Sequence, residues 1–124
     1  AINGENRELL ANYAYHLALQ EEQLDKARNM SEKAYKMSGG TSSANLAFAW
    51  VLAESGEIAQ ALVVIEEGLI SGGQSSAEYL ERYGDILFLN ERKSDAVLQW
   101  QKALNLTGEN KGLKEKIEKK ALLK

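Results

Sequence analysis

Glu78, Glu81 and Asp85 fall at i, i+3 and i+7, a spacing that puts three carboxylates on one face of a helix. Carboxylates grouped in this way can hold a hard cation, or raise one another's pKa enough for acid–base work. Arg82 stands among them, and a solvated face is the commoner outcome of such a charge run. His16 is the single histidine and there is no cysteine. Without imidazole or thiolate partners, His16 suits a surface or groove-lining role and not a metal site. No glycine-rich loop is followed by a Lys-Ser/Thr pair, and neither a nucleophile elbow nor a zinc-binding HExxH is present. These residues point to no enzyme, no cofactor and no metal centre.

The helix that must carry the carboxylates belongs to a periodic chain. Ala27, Ala61 and Ala96 lie 34 and 35 residues apart, with Ala34, Gly68 and Ala103 seven residues beyond them. Tyr15, Ala49 and Gly84 precede the same anchors by twelve residues, and Gly39, Gly73 and Gly108 follow them by twelve. Each unit reads as two helices with apolar stripes at helical spacing. The first uses Leu10, Ala14, Leu17 and Ala18, then Leu24, Ala27, Met30, Ala34 and Met37. The second uses Leu46, Phe48, Ala49, Leu52 and Ala53, then Ile58, Ala61, Leu62, Ile65 and Leu69. The third uses Leu80, Tyr83, Gly84, Leu87 and Phe88, then Ala96, Val97, Trp100, Ala103 and Leu104. Small residues at matched points let the two axes of each pair approach closely, as an antiparallel hairpin.

The expected architecture is all-α: three hairpins over about 8–41, 42–76 and 77–110, and a seventh, capping helix over about 111–123 carrying Leu113, Ile117 and Ala121. Repeated "SGG" segments punctuate the stack. Gly39, Gly73 and Gly108 are expected to end the second helices at positive φ. Thr41, Ser42, Ser43, Ser75 and Ser76 are expected to supply N-cap oxygens for the helices that follow. Gly56 makes the turn inside the second unit, and its counterparts Glu22 and Glu91 are not expected to need glycine's backbone freedom.

The 124 residues suit one domain, and their 44% hydrophobic and 27% charged shares suit a globular chain. A net charge of −3 argues against nucleic acid as the partner. From Glu109 onward there are six lysines against three glutamates, which leaves the preceding body acidic. The longest apolar run, "LAFAWVLA", is far shorter than the ~20 residues a membrane span needs. Because the chain opens on Ala, it is expected to be a processed form or a piece of something longer.

The repeat length and the segments "AY…LA…LDKA…KAY", "FAWVLAESGEIAQAL…EEGL" and "YGDILF…SDAVLQWQKAL" resemble the tetratricopeptide repeat over roughly residues 8–110. Two departures stand out. Glycine replaces the proline usual after the second helix, and Ser31 and Ile65 take the aromatic slot that only Trp100 fills. The phrasing is also similar to the C-terminal repeats of larger Bacteroidetes-type tetratricopeptide proteins. That likeness implies an envelope lipoprotein on the periplasmic side, in preference to a cytoplasmic protein.

The resemblance implies a right-handed α–α superhelix with a concave wall built by the first helix of each pair. Asn12, His16, Gln20, Trp50, Glu54, Glu78, Glu81, Arg82 and Asp85 would line that groove. They would make it net acidic, with an exposed or half-exposed Trp50 indole. The implied function is a scaffold that binds a peptide or protein segment with basic side chains. Trp50 is either an anchor for that segment or packing against a neighbouring helix, whereas Trp100 belongs to the core. Some family members clamp a partner's C-terminal carboxylate with Lys, Arg and Asn. Asn12 fits such a clamp, but Leu46, Trp50, Glu81 and Asp85 would repel or ignore a carboxylate.

A different class of function is a structural spacer or self-association segment of a longer repeat protein. Leu9 and Tyr13 lie beside the first apolar stripe, where a preceding repeat would cover them, and exposed they would favour a homodimer through the N-terminal repeat.

Overall fold

The computed structural model describes residues 2–20, 23–38 and 41–122, with side chains from Leu9 onward except Ser38. The described residues form seven α-helices and no strand. They are α1 (Ile2–Leu19), α2 (Leu24–Ser38), α3 (Ser42–Glu54), α4 (Ile58–Glu67), α5 (Ala77–Leu89), α6 (Lys93–Thr107) and α7 (Lys111–Lys119), with one 3-10 turn at Gly73–Ser75. The pairs α1–α2, α3–α4 and α5–α6 pack as hairpins, α3 packs on both α1 and α2, α4 and α3 meet α5, and α7 closes on α6. Among the described residues, no helix is long and apolar enough to cross a membrane.

The matched small residues set the hairpin spacing. Ala27, Ala61 and Ala96 are fully buried, as are Ala34 and Ala103. Gly84 permits a close approach: a Cβ there would lie 2.5 Å from Cδ1 and Nε1 of the fully buried Trp100. Helix α3 is enclosed on several sides. Nine of its residues are buried, from Ala44 to Ala53 with only Leu46 less covered, which is why its apolar pattern is nearly continuous and not a stripe. Ser31, Ile65 and Trp100 occupy the same slot in successive second helices, and all three are buried. In the first unit the Ser31 hydroxyl turns back to donate to the Arg28 carbonyl at 3.2 Å.

The turns depart from expectation in three places. Gly108 ends α6 at φ +82°, as expected, but α4 stops at Glu67 and Gly73 does not hold the positive φ. That conformation falls on Gly72, at φ +122°, while Gly73 leaves room for the Tyr79 ring, which a Cβ would approach to 2.6 Å. The early stop has a tertiary cause. The Gly68 amide bonds the Ile65 carbonyl and not that of Val64, and the Asn45 amide from α3 donates to Val64 instead, at 2.9 Å. The Tyr79 hydroxyl from α5 donates to the Ile65 carbonyl at 2.5 Å. Side chains of both neighbouring helices thus satisfy carbonyls that the helix end orphans.

Second, Glu91 adopts φ +63° beside Gly56 at +89°. The turn geometry is shared by both units, so Glu91 takes a left-handed conformation that glycine would adopt without strain. Third, Ser76 caps α5 by accepting the Tyr79 N–H at 3.2 Å, but Thr41 at the start of α3 makes no cap bond. Asn110 supplies the corresponding cap for α7, accepting the Leu113 N–H at 2.9 Å. Gly39 and Glu22 lie outside the described residues.

Hairpin-to-hairpin ties converge on α4 and its N-cap residue Glu57. Arg28 pairs with Glu57, the Tyr35 hydroxyl donates to Glu67 at 2.5 Å, and the Tyr83 hydroxyl donates to Glu66 at 2.7 Å.

Candidate functional site

The three first helices bring the carboxylates of α5 against α1 on one side and α7 on the other. Asp85 is at the centre. It is 2% exposed and its two oxygens are fully engaged: Arg82 Nη1 lies at 3.0 Å, Trp100 Nε1 at 3.0 Å, and Lys116 Nζ at 2.9 and 3.2 Å. Lys116 also donates to Glu81 at 2.6 Å. A buried carboxylate bonded by two cations and an indole N–H is held in place and screened from a ligand. Asp85 is therefore not a groove-lining residue, and the i, i+3, i+7 triad is not an open cation site. Among the described residues, no three His, Cys, Asp or Glu side chains are placed to hold a metal ion.

Arg82 ties α5 to the other two hairpins. Its Nε donates to the Tyr15 hydroxyl at 3.0 Å, and its guanidinium lies 4.8 Å from the Trp50 ring centre. Burial works against its charge, but Tyr15, Asp85 and Glu81 around it outweigh that and push its pKa up. Tyr15 in turn donates to Glu78 Oε2 at 2.8 Å. Burial raises the Tyr15 phenol well above its usual range against the opposing pull of Arg82, so it remains a neutral donor at any physiological pH.

At 8% exposure Trp50 is neither exposed nor half-exposed, which fits its packing reading and not that of an exposed anchor. Arg82 covers its ring, and the buried Nε1 has no partner among the described residues. Asn12, His16, Gln20 and Glu78 are exposed, and Glu54, Glu81 and Arg82 are partly covered. His16 stands beside Tyr15, with ring centres 6.5 Å apart. Leu9 and Tyr13 are 66% and 46% exposed, with the Lys26 ammonium 5.4 Å over the Tyr13 ring.

An open pocket of about 220 Å³ lies where α1 meets the starts of α3 and α5. Helix α1 contributes Ala11, Asn12 and Tyr15, helix α3 contributes Ser42, Ser43 and Leu46, and Ser76, Glu78 and Tyr79 complete it. Of the expected groove residues it unites Asn12 and Glu78, while Glu81, Arg82 and Asp85 belong to the network behind it.

Sequence reasoning missed two residues that organise this region, and both left a signal. Tyr15 is the one large residue in a slot where the later units have Ala49 and Gly84, so its ring had to extend beyond the hairpin contact. Lys116 sits between Leu113 and Ile117 on the apolar stripe of α7, the face that turns inward.

The tetratricopeptide repeat sequence model matches residues 18–81, just over half of the chain. No curated protein gives a significant match. Solved structures resemble the whole fold. The first tetratricopeptide domain of Spaghetti (RPAP3), bound to the HSP90 peptide SRMEEVD, is 15% identical with a TM-score of 0.80, over 94% of this chain and 90% of that one. The Arabidopsis OM64 domain is 21% identical with a TM-score of 0.81, over 95% and 96%. A thermophilic repeat protein of Thermus thermophilus is 19% identical with a TM-score of 0.72, over 94% of this chain and 63% of its own. At these identities the likeness is one of fold: an all-helical, tetratricopeptide-type α–α superhelix.

Proposed function

The chain belongs to the tetratricopeptide repeat family, and we propose that it is an interaction module that binds a peptide or protein segment on the face built by α1, α3 and α5. The binding involves no catalysis. The observation that carries this is the pocket at the meeting of those three helices, where Asn12 and Glu78 are exposed beside the partly covered Leu46. A curved stack of hairpins supplies such a face because the first helices of successive units line its inner side. The buried network behind it supports a pre-formed surface, since Tyr15, Arg82 and Asp85 fix α1 and α5 in one arrangement.

A ligand like the one seen with the RPAP3 domain suits this face poorly. The peptide SRMEEVD is rich in carboxylates, whereas Arg82 and Lys116 are already bonded to Asp85. Selection of binders from a displayed random-peptide library tests the proposal. Binders should be lost on Leu46→Arg, with helical circular dichroism unchanged. Binders that ignore Leu46→Arg would contradict it.

A second reading is self-association through the N-terminal repeat. Tyr13 is 46% exposed, while Ala47, its equivalent one repeat later, is 1% exposed in the helix that packs on the preceding hairpin.

A further inference from the structure

We infer that the pocket bounded by Asn12, Leu46 and Glu78 receives a lysine side chain of the bound segment. It rests on the proposal that the α1–α3–α5 face binds a protein segment, and adds the chemistry of the residue read there.

The chain already contains one instance of this recognition. On α5, Glu81 and Asp85 are bonded by the Lys116 ammonium, which arrives from a separate amphipathic helix and lies 5.8 Å from the Trp100 ring centre. Glu78 is the next carboxylate toward the start of α5, on the same face. Among the described residues no lysine or arginine pairs with it; its one bond is to the neutral Tyr15 hydroxyl. The described pocket lining contains no cationic side chain; Arg82 reaches it only through the Tyr15 hydroxyl, at 3.0 Å, and its charge is met by Asp85 at 3.0 Å. The partly covered Leu46 offers apolar surface for a stem, and the Asn12 amide oxygen can accept alongside the carboxylate.

The same geometry favours lysine over arginine. A guanidinium fork engages a carboxylate best through both oxygens, and the Tyr15 hydroxyl already holds one lone pair of Glu78 Oε2, which restricts the fork's approach. An ammonium is a point charge that can pair with either oxygen from a wider range of directions. The half-charges at the first turns of α3 and α5 oppose a cation, but they are spread over several amides. Part of that at α5 is met by Ser76, which accepts the Tyr79 N–H.

The test is a ¹⁵N NMR titration of the whole chain with capped peptides Ala-Leu-Lys-Leu-Ala and its norleucine, arginine and glutamate counterparts. The lysine peptide should shift the amides of Asn12, Ser43 and Glu78 saturably. It should bind about threefold to fivefold tighter than the norleucine peptide, as expected for an exposed ion pair. Glu78→Gln should erase that margin, since glutamine still accepts from Tyr15 but carries no charge. Equal binding of the lysine and norleucine peptides on this face would overturn the inference and leave the groove proposal standing. So would tighter binding of the arginine or glutamate peptide there. Shifts confined to another face would overturn both. No saturable shift would overturn the inference alone, the library selection being independent of it.

Discussion

An ammonium taken out of water loses several kcal/mol of hydration unless carboxylates replace it, and Lys116 has two, with Glu81 at 2.6 Å and Asp85 at 2.9 Å. Lys116→Met should lower unfolding free energy by about 2–4 kcal/mol, toward the lower part of the range for a broken buried pair because Asp85 keeps Arg82 and Trp100. Urea denaturation monitored by circular dichroism measures it, and a change below about 0.5 kcal/mol would mean the pair is a surface contact. The tyrosines set a separate limit at high pH. Burial first, and then the Glu66 carboxylate, push Tyr83 up to about 12, while burial raises Tyr15 and Tyr79 further. A free phenol titrates near 10, so between these values the unfolded chain gives up protons that the folded chain keeps. The stability these groups contribute is complete below pH about 10 and falls as pH rises through about 12. Urea midpoints taken between those pH values should therefore decline steadily; a flat profile would contradict the burial of these hydroxyls.

At the scale of the helices, α5 meets α6 closely where Gly84 admits the Trp100 ring. Gly84→Ala should cost about 1–3 kcal/mol, the usual penalty of overpacking, and should red-shift or broaden the tryptophan emission as the Trp100 indole is pushed outward; unchanged thermal unfolding would show that the helices spread freely. The hairpins themselves were legible because hairpin packing is local: small residues recur at fixed offsets, and their burial follows from spacing alone. The helix ends were legible only where the signal was local too. Gly108 sits where its position implied, but the end of α4 depends on Asn45 and Tyr79, which reach it from two other helices. Glu91 shows the reverse case, since a turn's geometry can override the preference of the residue placed in it. The site was half legible: the first-helix faces were placed, but helical spacing cannot distinguish a carboxylate facing solvent from one facing the next helix. That difference separates Glu78 from Asp85.

For the whole molecule, two surfaces compete to explain what the chain associates with. The N-terminal repeat presents Leu9 and Tyr13, and the Tyr13 position is covered one repeat later, at Ala47. If that end self-associates, light scattering should report a dimer that Tyr13→Glu dissolves, and a monomer at high concentration would end the idea. The α1–α3–α5 face is the central claim, because the network of Tyr15, Arg82, Asp85 and Lys116 holds all three hairpins and α7 in register behind it. Hydrogen–deuterium exchange of the chain with and without a library-selected peptide tests it most directly. Protection should concentrate in α1 around Asn12 and in the first turns of α3 and α5, with α2, α4 and α6 unchanged. Protection centred on the second helices, with the first helices unaffected, would contradict it.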